Sequence, residues 1–218
     1  MSTFLFSVIG MDHFEQKAYQ DGYRVIAGVD EAGRGPLAGP VVAASVILPV
    51  GYINPEINDS KQLSAKKREK LYEVIKKDAL AIGIGVIESP VIDQVNILQA
   101  TLMAMADAVD DLSMLPEYIL VDGLHRIPGN ISQKTIVKGD TLSVSIASAS
   151  IIAKVSRDRI MEIYHRQFPQ YNFLKNKGYG TREHREAIQS HGLCKIHRRS
   201  FKVKNIKCHA LQTVDLFD

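Results

Sequence analysis

The 218-residue chain is poor in cysteine, has no membrane-length apolar run and carries no repeat or low-complexity tract. Its two cysteines, Cys194 and Cys208, form neither a Cys-x-x-Cys pair nor a zinc-type spacing. That argues against a structural thiolate-metal site and for a reducing compartment. The longest strongly apolar run, residues 41–50, is ten residues long, too short to cross a bilayer. The opening MSTFLFSVIGM has no basic residue ahead of its apolar stretch and no small-residue cleavage pattern, so no signal peptide is read and a cytoplasmic location is expected. With 45% hydrophobic and 23% charged residues, the composition excludes a wholly disordered chain and suits one sizeable core without a membrane partner.

What the sequence does have is an uneven charge. Residues 175–207 hold ten bases and two acids, whereas the rest holds 17 bases and 22 acids. A basic block is commonly a solvated face, but a positive appendage beside an acidic body also suits a metal-using enzyme acting on a polyanion.

The patterning alternates strand and helix. Strands are predicted at 24–29, 41–48, 80–87, 118–121 and 135–137. Helices are predicted from an N-cap at Ser64 to about Asp78, from about Asn96 to Leu112, from Val144 to Gln167 where Pro169 stops the chain, and from Arg182 to Gln189. This order indicates a mixed α/β sheet with helices on its faces. Residues 145–150 contain only Ser, Ala and Ile, which would let the long helix pack closely on the sheet.

Acids fall where the strands end. Asp30 and Glu31 lie in GVDEAGRGP (28–36), Asp122 precedes Gly123, and Asp140 follows Gly139. If those strands are neighbours, four carboxylates converge, and such a cluster repels itself unless a cation intervenes. Oxygen ligands without His or Cys favour Mg²⁺ or Mn²⁺ over zinc. Two such ions suit an in-line phosphoryl displacement, which is nuclease chemistry. Adjacent strand residues face opposite sides, so Asp30 and Glu31 can share a site only where the strand ends or bulges. Asp158, between Arg157 and Arg159 in the long helix, competes for the fourth position, but a helix-surface ion pair is its commoner fate.

The motifs VDEAGRGPLAGPVVAA, NDSKQLS (58–64), LVDG (120–123), VKGD (137–140), SASIIAKVSRD (148–158), KGYGT (177–181) and HRRSF (197–201) together closely resemble the bacterial ribonuclease HII family. They occur in the family order from Val25 to Phe201. The resemblance implies an RNase H-like α/β fold: a five-stranded mixed sheet, helices on both faces and a C-terminal helical extension. It divides the chain into an N-terminal extension (1–23), one type 2 RNase H domain (24–211, with a sheet core at 24–168 and a basic substrate-binding segment at 169–211) and a tail (212–218).

The implied activity is an endonuclease, expected to be a monomer, that cuts the RNA strand of RNA/DNA hybrids and incises at ribonucleotides embedded in duplex DNA, leaving 3′-hydroxyl and 5′-phosphate ends. Its implied catalytic and metal ligands are Asp30, Glu31, Asp122 and Asp140, with Mg²⁺ or Mn²⁺ as cofactor. Gly33, Arg34 and Gly35 would sense the ribose, since glycines let the backbone approach the 2′-hydroxyl that separates RNA from DNA. Tyr179 would pack on the sugar after the ribonucleotide. Lys61, Arg198 and Arg199 are candidates for phosphate contacts, which position a duplex without reading its sequence.

Leu124-His125-Arg126, His184 and His197 receive no role. The terminal QTVDLF (212–217) loosely resembles the Gln-to-Leu-Phe peptides that bind bacterial sliding clamps, one residue longer than their usual spacing, and makes a clamp a candidate partner; a frayed terminus is the competing reading.

Two rival functions compete. Gly28 and Gly33 have the outer spacing of a P-loop, but Arg34 and Gly35 stand where Lys and Ser or Thr are needed, and two acids would sit in the phosphate cradle. A non-catalytic hybrid-binding module would use the basic tail and have no need of four converging acids.

Overall fold

The computed structural model describes residues 10–202. Five strands form one sheet: β1 (Ile26–Ala32), β2 (Val41–Ile47), β3 (Ala81–Ile87), β4 (Tyr118–Asp122) and β5 (Ser132–Ile136). Their spatial order is β3-β2-β1-β4-β5. The first three pair antiparallel, while β1, β4 and β5 run parallel. The mixed RNase H-like sheet expected from the sequence is therefore the one observed.

Helices cover both faces. On one, α2 (Ala65–Asp78) and α4 (Val144–Gln167) enclose Leu71, Ile75, Ile151 and Val155 with Ala44 and Val46 of β2. On the other, α3 (Ser89–Asp110) packs Ala104, Met105 and Ala108 against Val41, Ala43, Val29 and Val121. Alternate residues of β2 thus point into opposite cores, as the two-residue period of a strand requires. The run of small residues in α4 acts as expected: Ser145 to Ser150 are all buried. A Cβ added at Gly28 would strike the backbone of Ser145 and Ile146, so Gly28 admits α4 onto β1.

Several boundaries differ from the sequence reading: β1 runs Ile26–Ala32 rather than 24–29, so Asp30 and Glu31 lie within the strand and not after it, and the helix from Arg182 extends to His191. The predicted helix from Asn96 is preceded by a further helical stretch from Ser89, and Asn96 (φ 71°) breaks the two apart. Its side-chain oxygen accepts from the amides of Leu98 and Gln99, so it caps the second half. β5 lies at Ser132–Ile136 rather than 135–137. The N-terminal extension contains α1 (His13–Gln20), whose buried Glu15 accepts from Ser143 Oγ at 2.6 Å and from the amide of Ser145 at 3.0 Å, closing the start of α4.

Beyond α4 the chain forms α5 (Phe173–Asn176) and α6 (Arg182–His191), joined through a small core of Met161, Tyr171, Phe173, Ile188 and Ile196 around Ala38. The basic segment is thereby fastened to the loop that follows β1. No helix among the described residues is long and apolar enough to cross a membrane.

Candidate active site

β1 and β4 are parallel neighbours in register Val29 to Val121. One step further along each strand places Asp30 beside Asp122, which is why acids far apart in sequence meet. Carboxylate oxygens of Asp30, Glu31 and Asp122 all lie within 4.8 Å of one another. There is no bulge at Asp30-Glu31: the β1–β2 ladder runs on to Ala32, whereas the ladder with β4 stops at Val29. The freed edge lets both side chains reach the same place, and Glu31 donates its amide to Asp30 Oδ1 at 2.7 Å.

The sequence reading puts Asp140 at a strand end; it instead occupies a 3₁₀ turn, Gly139–Thr141, after β5 has ended. It is buried, and its Oδ2 accepts from Lys61 Nζ at 3.2 Å. The preceding amide, of Gly139, donates to Asp122 Oδ1 at 2.7 Å. Asp140 thus stands next to Asp122 but outside the group of three whose oxygens converge. Asp158 pairs with Lys154 at 2.7 Å on α4, the helix ion pair expected of it.

The electrostatics describe a site short of positive charge. Burial first, then the charges of Glu31 and Asp122, push the Asp30 carboxyl well above the ordinary range. Burial also raises Glu31, with Arg34 opposing and Asp122 adding, and raises Asp122 against the hydrogen bond from Gly139. Asp30 is 2% exposed, and its Oδ2 has no hydrogen-bond partner among the described residues. An orphaned buried oxygen inside a knot of carboxylates fits a hard divalent cation. Two side chains offer partial compensation: Arg34 reaches Glu31 Oε1 at 3.4 Å, and Lys61 lies against Asp140. The acids around Lys61, chiefly Asp140 and then Asp30, outweigh the opposing effect of burial and raise its pKa.

Above the carboxylates runs the segment 33–40. Gly33 has φ +98°, and a Cβ there would collide with Arg157 and press on the carbonyl of Pro40, so this position requires glycine. Tyr179 is 45% exposed, and its ring lies 3.7 Å from where a Cβ on Gly35 would stand. Tyr179 thus stands against Gly35, in the segment that directly follows Glu31 in the chain.

Arg199 is exposed, and its amide donates to Asp93 Oδ2 at 2.9 Å. Arg198 is different, and the expectation of a phosphate contact is corrected. It is 2% exposed, and its guanidinium is consumed by the carbonyls of Gly33, Arg34, Pro36 and Gly39.

Sequence reasoning missed three further residues. Arg157 is fully buried and donates to the carbonyls of Pro40, Ala38 and Lys177. A signal existed: Ala153, Arg157 and Met161 recur at four-residue spacing, one buried stripe of α4. His184 and His197 are not isolated, for their Nε2 atoms lie 3.1 Å apart. His184 Nδ1 faces the carbonyl of Tyr179 at 2.9 Å, and His197 Nδ1 accepts the amide of Cys194 at 3.0 Å. Those partners fix the tautomers: His184 must donate from Nδ1, so His197 donates from Nε2. Their spacing in sequence carries no recognisable period.

The chain shares its sequence and fold with known proteins. The family described as Ribonuclease HII matches residues 27–204. A ribonuclease HII of Syntrophus aciditrophicus is 84% identical over 211 residues, covering 97% of this chain and 100% of that protein. One from Caldanaerobacter subterraneus is 57% identical over 197 residues, covering 90% and 82%. Among solved structures, ribonuclease H2 from Pyrococcus horikoshii superposes with a TM-score of 0.69 at 26% identity, covering 82% of this chain and 94% of that one. The RNase HII in a PCNA complex from Archaeoglobus fulgidus gives 0.68 at 26% identity, covering 84% and 98%. An enzyme is therefore shown, and the binding-module alternative falls away. The chain belongs to the ribonuclease HII family and is a divalent-metal-dependent ribonuclease H acting on RNA/DNA hybrids.

Proposed function

We propose that this enzyme also incises at single ribonucleotides embedded in duplex DNA, by a two-metal mechanism, leaving 3′-hydroxyl and 5′-phosphate ends. The observation that carries the reading is the juxtaposition of three converging carboxylates, Asp30, Glu31 and Asp122, with the Gly33–Gly35 segment and the exposed ring of Tyr179. A site that senses a ribose from its backbone and packs an aromatic ring nearby has what it needs to find one RNA residue among deoxyribonucleotides.

Asp30, Glu31, Asp122 and Asp140 would hold the cations, Mg²⁺ or Mn²⁺. When bound, these supply a Lewis acid that activates the attacking water and stabilises the departing oxygen. The residues of the chain do the rest. Gly139 fixes the Asp122 carboxylate through its amide. Lys61, beside Asp140, and the exposed Arg199 meet backbone phosphates and hold the strand in place. Arg34, freed from Glu31, becomes available to the strand as well. Tyr179, held by its carbonyl to His184, packs on the sugar following the ribonucleotide.

The protein acts as a cytoplasmic monomer in this reading. A clamp contact through residues 212–217 lies outside the described residues; it is supported by the sequence of that tail and by the PCNA complex of the Archaeoglobus relative. Clamp affinity of the intact protein set against a Phe217→Ala variant tests it, and equal affinities reject it. The incision itself is tested by mapping products from a duplex with one central ribonucleotide.

A further inference from the structure

Among the described residues, two arginines are buried and neither makes a salt bridge with a carboxylate. Arg157 is 0% and Arg198 2% exposed, and a charge so buried is costly unless its donors are satisfied. Here backbone carbonyls satisfy them. Arg198 donates to those of Gly33 (2.5 Å), Arg34 (2.9 Å), Pro36 (2.9 Å) and Gly39 (3.0 Å). Arg157 donates to those of Pro40 (2.9 Å), Ala38 (3.2 Å) and Lys177 (2.9 Å). Six carbonyls of the segment 33–40 are thus drawn toward two cations buried behind it.

Peptide planarity turns this into a statement about the other side. In a trans peptide the C=O of one residue and the N–H of the next point in opposite directions, and the described chain has no cis bond. Drawing the carbonyls of Gly33 and Arg34 onto Arg198 therefore turns the amides of Arg34 and Gly35 away from it. Two neighbouring units show the same rule at work. The Pro36 carbonyl faces Arg198 while the amide of Leu37 donates the other way, to Gly178; the Ala38 carbonyl faces Arg157 while the amide of Gly39 donates to Ile196. Among the described residues, the amides of Arg34 and Gly35 donate to no backbone carbonyl. Arg157 supports the arrangement from beneath, against Gly33 and 6.0 Å from the centre of the Tyr179 ring.

We propose that Arg198, supported by Arg157, is a positioning residue for ribose discrimination: it orients the Gly33–Arg34 and Arg34–Gly35 peptide units so that their amides face the 2′-hydroxyl of the substrate. The inference rests on the ribose-sensing role given above to the Gly33–Gly35 segment. Arginine is required because one planar fork reaches four carbonyls at once, whereas a lysine ammonium, with the same charge, has three donors at one point.

The test measures the affinity of the full-length protein in Ca²⁺ for a DNA duplex with one ribonucleotide and for the same duplex without it, in wild type, Arg198→Lys, Arg157→Lys and Arg199→Ala. The ratio of the two affinities reads ribose discrimination by folded molecules only, so partial unfolding lowers binding capacity without moving it. Arg198→Lys is expected to reduce the ratio about tenfold, the order of one lost buried hydrogen bond, and Arg157→Lys to reduce it less. Arg199→Ala is expected to weaken both duplexes alike. A wild-type ratio near one rejects the ribose-sensing reading itself. A wild-type preference that both lysine variants retain overturns the positioning role.

Discussion

The amide of Gly139 donates to Asp122 Oδ1 at 2.7 Å, fastening the turn that carries Asp140 to the strand end that carries Asp122. An Asn at 122 keeps an oxygen for that bond and loses only the charge. Asp122→Asn is therefore expected to retain its fold and much of its duplex binding while cleavage falls about a hundredfold or more, since even partners behind metal ligands cost 10–100-fold. Gel-shift and steady-state cleavage assays on one preparation separate the two effects.

The Asp30 carboxyl titrates above its ordinary range because burial and two acidic neighbours disfavour its charge. A raised pKa means that the folded protein holds this proton more tightly than the unfolded chain, so the associated stability is lost as pH rises through the folded value. Calorimetry of the metal-free protein should show Asp30→Asn melting higher than wild type at neutral pH while having no cleavage activity. The gain in melting temperature on adding Mg²⁺ should grow with pH in wild type and shrink in the variant.

His197 shows the opposite sign. Burial, then the neighbouring His184, pull its pKa down to about 3, and burial lowers His184 as well. Their neutral forms stabilise the fold above the unfolded value of about 6.5; the His197 contribution is lost as pH falls from there toward about 3, and that of His184 is also lost on falling below the unfolded value. Stability should fall by about 1.4 kcal/mol per pH unit for each histidine that the unfolded chain protonates first. Urea titrations from pH 7 to pH 4 should show a shallower decline in His197→Gln than in wild type.

Tyr179 and Asp158 separate a substrate contact from a partly buried ion pair within α4. Asp158 is engaged with Lys154, a helix pair worth about 0.3–0.5 kcal/mol. Tyr179→Ala is expected to reduce kcat/KM on a single embedded ribonucleotide about tenfold, on the scale of a lost aromatic packing contact, and Asp158→Asn to change it little. A larger effect from Asp158 would reverse the assignment.

Glu15 supports the site from a distance. Its carboxylate bonds Ser143 and Ser145 where α4 begins, and Glu15→Ala should destabilise the protein by about 1–3 kcal/mol through the buried donors left behind. Denaturant midpoints check this.

Much of this was legible in the sequence because the relevant signals are local. The β-branched run at Val41–Ile47, the Ser64 cap and the long α4 announce themselves through period and punctuation. The meeting of Asp30 and Asp122 follows from strand-end position once β1 and β4 are neighbours. α1 and β5 were harder, for His13–Gln20 is largely polar and Ser132–Ile136 reads SQKTI, a strand at the sheet edge with little to bury. The stripe of Ala153, Arg157 and Met161 hints that Arg157 is buried, but what it and Arg198 bind could not be read locally. An arginine in a basic tail, like Arg198, or in the charged SRDR run of α4, like Arg157, signals a surface cation, and only the path of a loop more than a hundred residues away in sequence turns these two inward.

The most direct test incubates the enzyme with duplex DNA containing one ribonucleotide, with Mg²⁺, with Mn²⁺ or with chelator, and maps the ends. The account predicts one cut beside the ribonucleotide, carrying 3′-hydroxyl and 5′-phosphate termini, dependent on the divalent ion and nearly abolished in Asp122→Asn. Cleavage that persists in chelator, or an Asp122→Asn enzyme with wild-type turnover, would contradict it.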